Sequence, residues 1–335
     1  MVKMNCKKTA LTFFLSVLLL AGLWAQQSWG SEFVHFSGIS DASAGVLIGN
    51  EKVGYKLLIA DDEDNDLRVY SPSGGLPEKV IEIKKEISGL KGKKEFDLEG
   101  AARIGDIVYW ISSHGRDSKG KVQLSRHVFF ATRVDDEELT ATLWGKPFQE
   151  LLEALISDPA LKEFQLERAA LLEPKKPNAF NIEGLAATAE GTLLIGFRNP
   201  IPKGKALLVP LKNPEEILSG AKPVFGQPIT LSLGGLGIRD ICYTGSDYLI
   251  VAGPPNKGIC KLYRWDGKTE NPSLKVLKIF PPDFAAEIIF CFPEKSNRKW
   301  FAVSDDGGKL VGGVENKKLP LSQRTFRGLW PDNVQ

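Results

Sequence analysis

Carboxylates, arginines and one histidine recur in this chain at matching places, and they are the residues with chemistry to offer. Glu99 lies in Asp97-Leu98-Glu99-Gly100-Ala101-Ala102, and thirteen residues past it the chain reaches Ser112-Ser113-His114-Gly115-Arg116. Glu183 lies in Asn181-Ile182-Glu183-Gly184-Leu185-Ala186, and thirteen residues past it comes Gly196-Phe197-Arg198-Asn199-Pro200. Asp41, Asp240 and Glu287 each stand before a comparable apolar run. Carboxylates gathered at one place cannot all stay charged and unpaired, because like charges repel strongly where water is scarce. Either cations or arginines neutralise them, or some take up protons.

An oxygen-rich set of this kind suits Ca²⁺ or Mg²⁺, which are hard cations. It lacks the His and Cys ligands that zinc prefers. The candidate metal ligands are Asp41, Glu99, Glu183, Asp240 and Glu287. Arg116, Arg198 and Arg239, with Asn199, are the candidates for holding the anionic part of a small substrate, since guanidinium recognises carboxylate and phosphate bidentately. His114, among two serines and an arginine, is the candidate acid or base. A structural reading competes: acids can cap turns, and arginine–carboxylate pairs can tie neighbouring elements together.

What would position these residues is a set of short strands. From Phe33 onward, apolar or alternating runs of four to eight residues are separated by Gly, Pro, Asn and Asp, the pattern of an all-β sandwich, barrel or propeller. The repeat decides among them. Five units of four candidate strands follow one another, opened by Asp41, Glu99, Glu183, Asp240 and Glu287, and four-stranded units set around an axis are the blades of a β-propeller. The fifth unit is expected to contain Glu287–Phe292, Trp300–Val303, Lys309–Val311 and Arg324–Trp330. Six blades remain an alternative, should the longest interval hide one. In a blade, the start of the first strand and the end of the second share a face near the central channel. That face should therefore gather the opening acids with His114, Arg116, Arg198, Asn199 and Arg239, and with Asp61, Asp62, Glu63, Asp64, Asn65, Asp305 and Asp306. A helical insertion is expected over residues 146–175, where Phe148, Leu151, Leu152, Leu155 and Ile156 recur at helical spacing. Asp158-Pro159 reads as the cap and first residue of a further short helix through Phe164.

The first thirty residues read as a signal peptide, with Lys3, Lys7 and Lys8 ahead of an apolar run from Ala10 to Trp24 and a cut near Gly30/Ser31. That run is shorter than the roughly 20 apolar residues that span a bilayer. The expected product is an exported single-domain propeller, residues 31–335, periplasmic or secreted. Removing three lysines and no acid from a chain of formal charge +2 leaves it near neutral, which gives no reason to expect nucleic acid as a partner. No later segment is long and apolar enough to span a membrane. Cys242, Cys260 and Cys291 remain after cleavage, an odd number, so one thiol at least lacks a partner within the chain. The preferred reading makes all three buried small apolar residues.

The motifs Ile39-Ser40-Asp41-Ala42-Ser43, Asp97-Leu98-Glu99-Gly100-Ala101-Ala102, Asn181-Ile182-Glu183-Gly184-Leu185, Gly196-Phe197-Arg198-Asn199-Pro200 and Gly237-Ile238-Arg239-Asp240 resemble a bacterial family of exported β-propellers of unknown function. The resemblance covers nearly all of the chain after residue 30 and implies the fold without an activity. More distantly, the acid-Gly openings and Ser304-Asp305-Asp306-Gly307-Gly308 are similar to those of phytase-like esterase, gluconolactonase and strictosidine-synthase propellers. That likeness implies a tunnel glutamate that helps hold a divalent cation, at Glu99, Glu183 and Glu287. Ile288 after Glu287 and Arg239 before Asp240 depart from the pattern. The expectation is a cation-assisted hydrolase of an ester or phosphoester. Its rival is a non-catalytic propeller that binds a ligand or a protein partner in the cell envelope.

Overall fold

Short runs rich in Val, Ile, Leu and aromatics, each stopped by a glycine or proline turn, can bury both faces only by stacking sheet upon sheet. The computed structural model, which describes residues 33–87, 95–293 and 300–331, shows that solution. The signal-peptide reading of residues 1–30 and Cys6 lies outside the described residues. Chain order begins with β1 (Val34–Ser37). The first blade follows as β2 (Ala42–Ile48), β3 (Lys56–Asp61), β4 (Leu67–Tyr70) and β5 (Lys79–Ile81). The second is β6 (Leu98–Ile104), β7 (Ile107–Ser112), β8 (Phe129–Asp135) and β9 (Thr140–Phe148), and the third is β10 (Asn181–Ala187), β11 (Leu193–Asn199), β12 (Ala206–Leu211) and β13 (Ile229–Leu231). The fourth is β14 (Gly237–Tyr243), β15 (Tyr248–Gly253), β16 (Lys261–Trp265) and β17 (Leu274–Ile279). The fifth starts with β18 (Ala286–Cys291) and β19 (Trp300–Ser304), passes a small hairpin, β20 (Leu310–Val311) and β21 (Val314–Glu315), and continues in β22 (Thr325–Leu329).

All pairings within the blades are antiparallel, and the inner strands β2, β6, β10, β14 and β18 neighbour one another in a closed ring. The chain is a five-bladed β-propeller, not a six-bladed one.

The fifth blade differs from its sequence expectation. Lys309–Val311 supplies no blade strand; it holds β20, which among the described residues pairs only with β21. The third strand is β22, and the fourth is β1 from the start of the described chain, with Val34 opposite Gly328 and Ser37 opposite Thr325. The physical reason is burial. Phe36 is wholly buried and stacks on Phe326 at 4.6 Å, whereas Leu310 and Val311 are exposed. A local hairpin closes cheaply, but it buries nothing; β1 buries an aromatic cluster with Tyr70, Phe301 and Phe326.

Between blades two and three, β9 runs to Phe148, so residues 146–148 belong to a strand and not to the helical insertion expected from 146. Helices Leu151–Ser157 and Leu166–Ala169 flank a 3₁₀ turn, Pro159–Phe164, capped by the Asp158 carboxylate on Ala160 N at 2.9 Å. Leu151, Leu155, Leu161 and Leu166 join the core formed by Tyr109, Phe129, Phe180 and Ile182. The stretch is packed into the ring. Cys242 and Cys291 also correct a sequence reading: they form a disulfide between β14 and β18, with Cα atoms 6.1 Å apart, while Cys260 is free and buried.

Because β1 closes the ring through Phe36, Phe36→Ala should lower the unfolding free energy by about 3–5 kcal/mol. Leu310→Ala on the hairpin should change it by no more than about 0.5 kcal/mol. Urea titration followed by tryptophan fluorescence measures both, and equal small effects would show that β1 does not hold the ring.

Candidate functional site

Every inner strand carries a one-residue β-bulge near its start. The pairing skips Ser43, Glu99, Glu183, Arg239 and Glu287 in blades one to five. A bulge breaks the alternation of the strand and re-aims the extra side chain, here from all five blades at corresponding positions. The sequence repeat of acids is therefore a repeat of bulges. Its members are shifted from expectation in two blades: Ser43, not Asp41, matches Glu99, and Arg239, not Asp240, matches Glu183. Asp41 is instead the equivalent of Asp97, each two residues ahead of its bulge.

Glycines beside these bulges serve packing. A Cβ on Gly184 would come within 2.7 Å of Ile238 Cγ2, so the neighbouring inner strand could not approach. A Cβ on Gly253 would lie 2.6 Å from Arg239 Cδ, so this glycine leaves the passage for the arginine.

Arg239 is the one cation among the bulged residues. It bonds Glu287 through Nη2, and its Nε lies 3.4 Å from Glu183 Oε2. Glu183 is fully buried, and its Oε1 accepts from Arg198 and from Asn181 Nδ2. Glu287 is buried as well, and burial, opposed by Arg239 and reinforced by Glu183, pushes its carboxyl up to about 8. Arg198 also donates to Pro255 O at 2.8 Å.

The other half of the mouth lacks such compensation. Asp97 is bonded by Ser113 and Arg126, the latter at 3.0 Å. The carboxylates of Glu99 and Asp62 have no hydrogen bond or ion pair among the described residues, and Asp62 Oδ1 is enclosed. Burial holds both carboxyls well above the usual carboxylate range, with Glu183 the next cause for Glu99 and Asp41 for Asp62. Burial and the charge of Asp305 likewise raise Asp41 to about 6.

Three carboxylate trios result, each with one oxygen per residue within 4.8 Å of the others: Asp41–Asp62–Glu63, Asp62–Asp97–Glu99 and Glu99–Glu183–Glu287. Four expected ligands thus fall in these trios. The fifth, Asp240, does not; its two oxygens accept from Ile241 N and Ile289 N, both at 2.8 Å, and tie β14 to β18. Asp97 was missed as a ligand, although Asp41-Ala42-Ser43-Ala44 beside Asp97-Leu98-Glu99-Gly100 carries the signal. Asp62 lies on the expected face, in the Asp61–Asn65 run whose acid spacing gives only a weak hint of a cation loop.

The remaining expected residues are engaged elsewhere. Arg116 donates to Ala170 O and Gly120 O, and Asn199 to Pro174 O and Lys176 O, so both fasten the helical stretch to the ring. His114 sits in a left-handed backbone conformation with Nδ1 2.8 Å from Ser112 O and its ring stacked on His127, and its buried Nε2 has no hydrogen-bond partner among the described residues. Burial, then the neighbouring His127, pulls it down to about 3. Lys317, from the loop after β21, lies 2.8 Å from Glu63 and 4.0 Å from Asp41.

The sequence profile of a family described as "Protein of unknown function (DUF3616)" matches residues 123–295. The chain belongs to this family. No curated protein matches the chain. Among solved structures, the chain is similar to Myxococcus xanthus glutaminyl cyclase, at TM-score 0.45 and 10% identity over 90% of this chain and 95% of that one. It is similar to the PQQ-bound aldose sugar dehydrogenase of Streptomyces coelicolor, at TM-score 0.41 and 12% identity over 90% and 99%. An exo-β-1,3-galactanase from Phanerochaete chrysosporium gives TM-score 0.46 and 9% identity over 87% of this chain and 60% of its own. Likenesses at this level carry no argument about chemistry in the DUF3616 chain.

Two predictions follow from the charges. Arg239→Met should cost about 3–5 kcal/mol, since it strands Glu183 and Glu287 in the interior, and Arg239→Lys should recover little of it because the fork is lost. Denaturant unfolding at pH 7 measures this, and a neutral Arg239→Met would refute the bridge. For His114 the sign is set by its lowered folded value. Its contribution is whole above the ordinary 6.5 and is lost as pH falls toward 3, because the unfolded chain binds the proton first. His114→Asn, which tolerates the left-handed backbone, should lose less stability between pH 6.5 and 4 than the parent; identical pH profiles would contradict the buried neutral state.

Proposed function

We propose that this propeller is an exported hydrolase that uses a divalent cation, Ca²⁺ or Mg²⁺, to cleave an ester or phosphoester at the acidic channel mouth. The observation that carries the reading is the Asp62–Asp97–Glu99 trio. Its carboxylate oxygens lie within 4.8 Å of one another, and neither Asp62 nor Glu99 has a cation partner among the described residues. An all-oxygen, partly exposed donor set fits hard cations, and like-charged carboxylates at this spacing are relieved by one.

Asp62, Asp97 and Glu99 would hold the ion. Ser113 and Arg126 orient Asp97, fixing the oxygen it presents. When bound, the ion supplies Lewis-acid polarisation of a carbonyl or phosphoryl oxygen, or a more acidic water. Arg198 and Arg239 neutralise Glu183 and Glu287 in this reading, so the anionic part of the substrate is drawn by the cation rather than by a free guanidinium. His114 takes no part, as its described contacts are with Ser112 and His127. Among the described residues no helix is long and apolar enough to cross a membrane. Export is favoured by the Lys-apolar-small pattern of residues 1–30 and by the Cys242–Cys291 disulfide, which an oxidising compartment supports.

Purified protein stripped with chelator should gain about 2.7 kcal/mol of stability at a cation concentration 100-fold above Kd. Asp62→Asn and Glu99→Gln should lose that gain together with turnover on a panel of nitrophenyl esters and phosphoesters. No stabilisation by either cation and no turnover on the panel would sink the proposal; stabilisation without turnover would favour a binding propeller.

A further inference from the structure

We infer that the acid-mouth end of the propeller docks on an anionic phospholipid surface, gripping it with lysine-bearing apolar loops that ring the mouth. The inference is independent of the cation reading above.

In antiparallel four-stranded blades, each connection from second strand to third lies at the end where the first strand starts. These connections therefore surround the mouth, and their contacts agree. Arg126 of the β7–β8 loop reaches Asp97, Arg198 reaches Pro255 O of the β15–β16 loop, and Lys317 of the β19–β22 loop reaches Glu63. In blades two to five these loops expose lysines and aliphatic side chains. The β7–β8 loop shows Lys119 and Lys121 beside Val122 and Leu124, and the β15–β16 loop shows Lys257 beside Ile259. The β11–β12 loop adds Lys203 and Lys205. The β19–β22 loop presents Leu310, which is 69% exposed, with Val311, Val314 and Leu321, flanked by Lys309 and Lys318. The acids of these four loops, Asp117, Asp305, Asp306 and Glu315, are all partly or wholly covered. Lys309 and Lys318 pair with Asp283 and Glu315, whereas the other five exposed lysines have no ion pair among the described residues.

The opposite end differs in kind. Its connections expose acids such as Glu51, Asp106, Glu137 and Glu190 beside their lysines. Among the described residues they expose two large aliphatics, Leu76 and Val224. The helical stretch between blades two and three shares the mouth end, carries exposed charges of both signs and adds Leu171.

Aliphatic tips that enter the acyl boundary and lysines that meet negative headgroups are the two halves of peripheral lipid binding. Lysine suits this because its stem lies along apolar surface while the ammonium stays among the headgroups. Composition argues against a protein partner. Interface cores favour Tyr, Trp, Phe, Met and Arg and are poor in Lys, and none of those five types is exposed on these loops.

The ring closes within residues 33–331, so residues 31–335 are used, which keeps the apolar run Ala10–Trp24 from binding lipid itself. Co-sedimentation is measured with vesicles of phosphatidylglycerol and phosphatidylcholine in equal parts, and with phosphatidylcholine alone. Chelator is present, so no cation can bridge mouth and headgroup. Partition onto the mixed vesicles should be stronger by about tenfold or more and should weaken as salt screens the lysines. Leu310→Ser with Val311→Ser should weaken it about tenfold, and Lys119→Ser with Lys121→Ser and Lys257→Ser should do the same. Leu76→Ser with Val224→Ser, at the other end, should change nothing. All these residues are exposed, and circular dichroism checks that each variant folds. Absence of binding to either vesicle overturns the inference. So does binding that the Leu310 and Val311 changes leave intact, which is adsorption by charge alone. Displacement from vesicles by soluble poly-glutamate at equal affinity overturns it in favour of an acidic protein surface. None of these outcomes touches the cation reading, whose test is separate.

Discussion

The structure depends on how like charges are kept together beside one axis. A propeller directs equivalent residues of every blade at the same place, so any repeated acid becomes a crowd of acids. Arg239 resolves part of this conflict. Placed at the bulge that would otherwise carry a fourth carboxylate, it stands between Glu183 and Glu287. Two charges that would repel become one network with Arg198. The substitution of an arginine in one blade for the acid of its neighbours is what lets blades three, four and five meet. It also leaves the asymmetry that matters, since blades one and two bring Asp62, Asp97 and Glu99 together with Arg126, on Asp97, as their one ion pair among the described residues.

The architecture was legible in the sequence because its signals are local. Short apolar runs and glycine turns, with an acid at each opening, mark four strands per unit in blades one to four without reference to anything distant. The site was half legible for the opposite reason. Glu99, Glu183 and Glu287 announce themselves as a repeat, but a bulge has no letter of its own. Reading acid against acid therefore aligned Asp41 and Asp240 with the glutamates, although the backbone aligns Ser43 and Arg239. His114 and Arg116 misled in another way. A strand exit on the right face does not say whether the side chain turns toward the axis or back into the packing, and Arg116 turns to Ala170.

What could not be read at all was non-local. Nothing in Val34-His35-Phe36-Ser37 states that its partner is Thr325–Leu329. Nor does the sequence say that Cys242 and Cys291, 49 residues apart, belong to adjacent inner strands. Both facts follow from ring closure, which sets neighbours by geometry and not by order.

That closure has a consequence for how the molecule comes to be. A strand made near the beginning of synthesis must wait for one made near the end, and until they meet the ring is an open arc with two unsatisfied sheet edges. The contacts between β1 and β22 span most of the chain, and contacts of such separation form slowly. The carboxylates of blade one and those of blade five can share a neighbourhood only after that event. The charge that Asp305 of blade five sets against Asp41 of blade one is therefore a product of the final step of assembly, whereas the Asp62–Asp97–Glu99 trio needs only the first two blades to be in place.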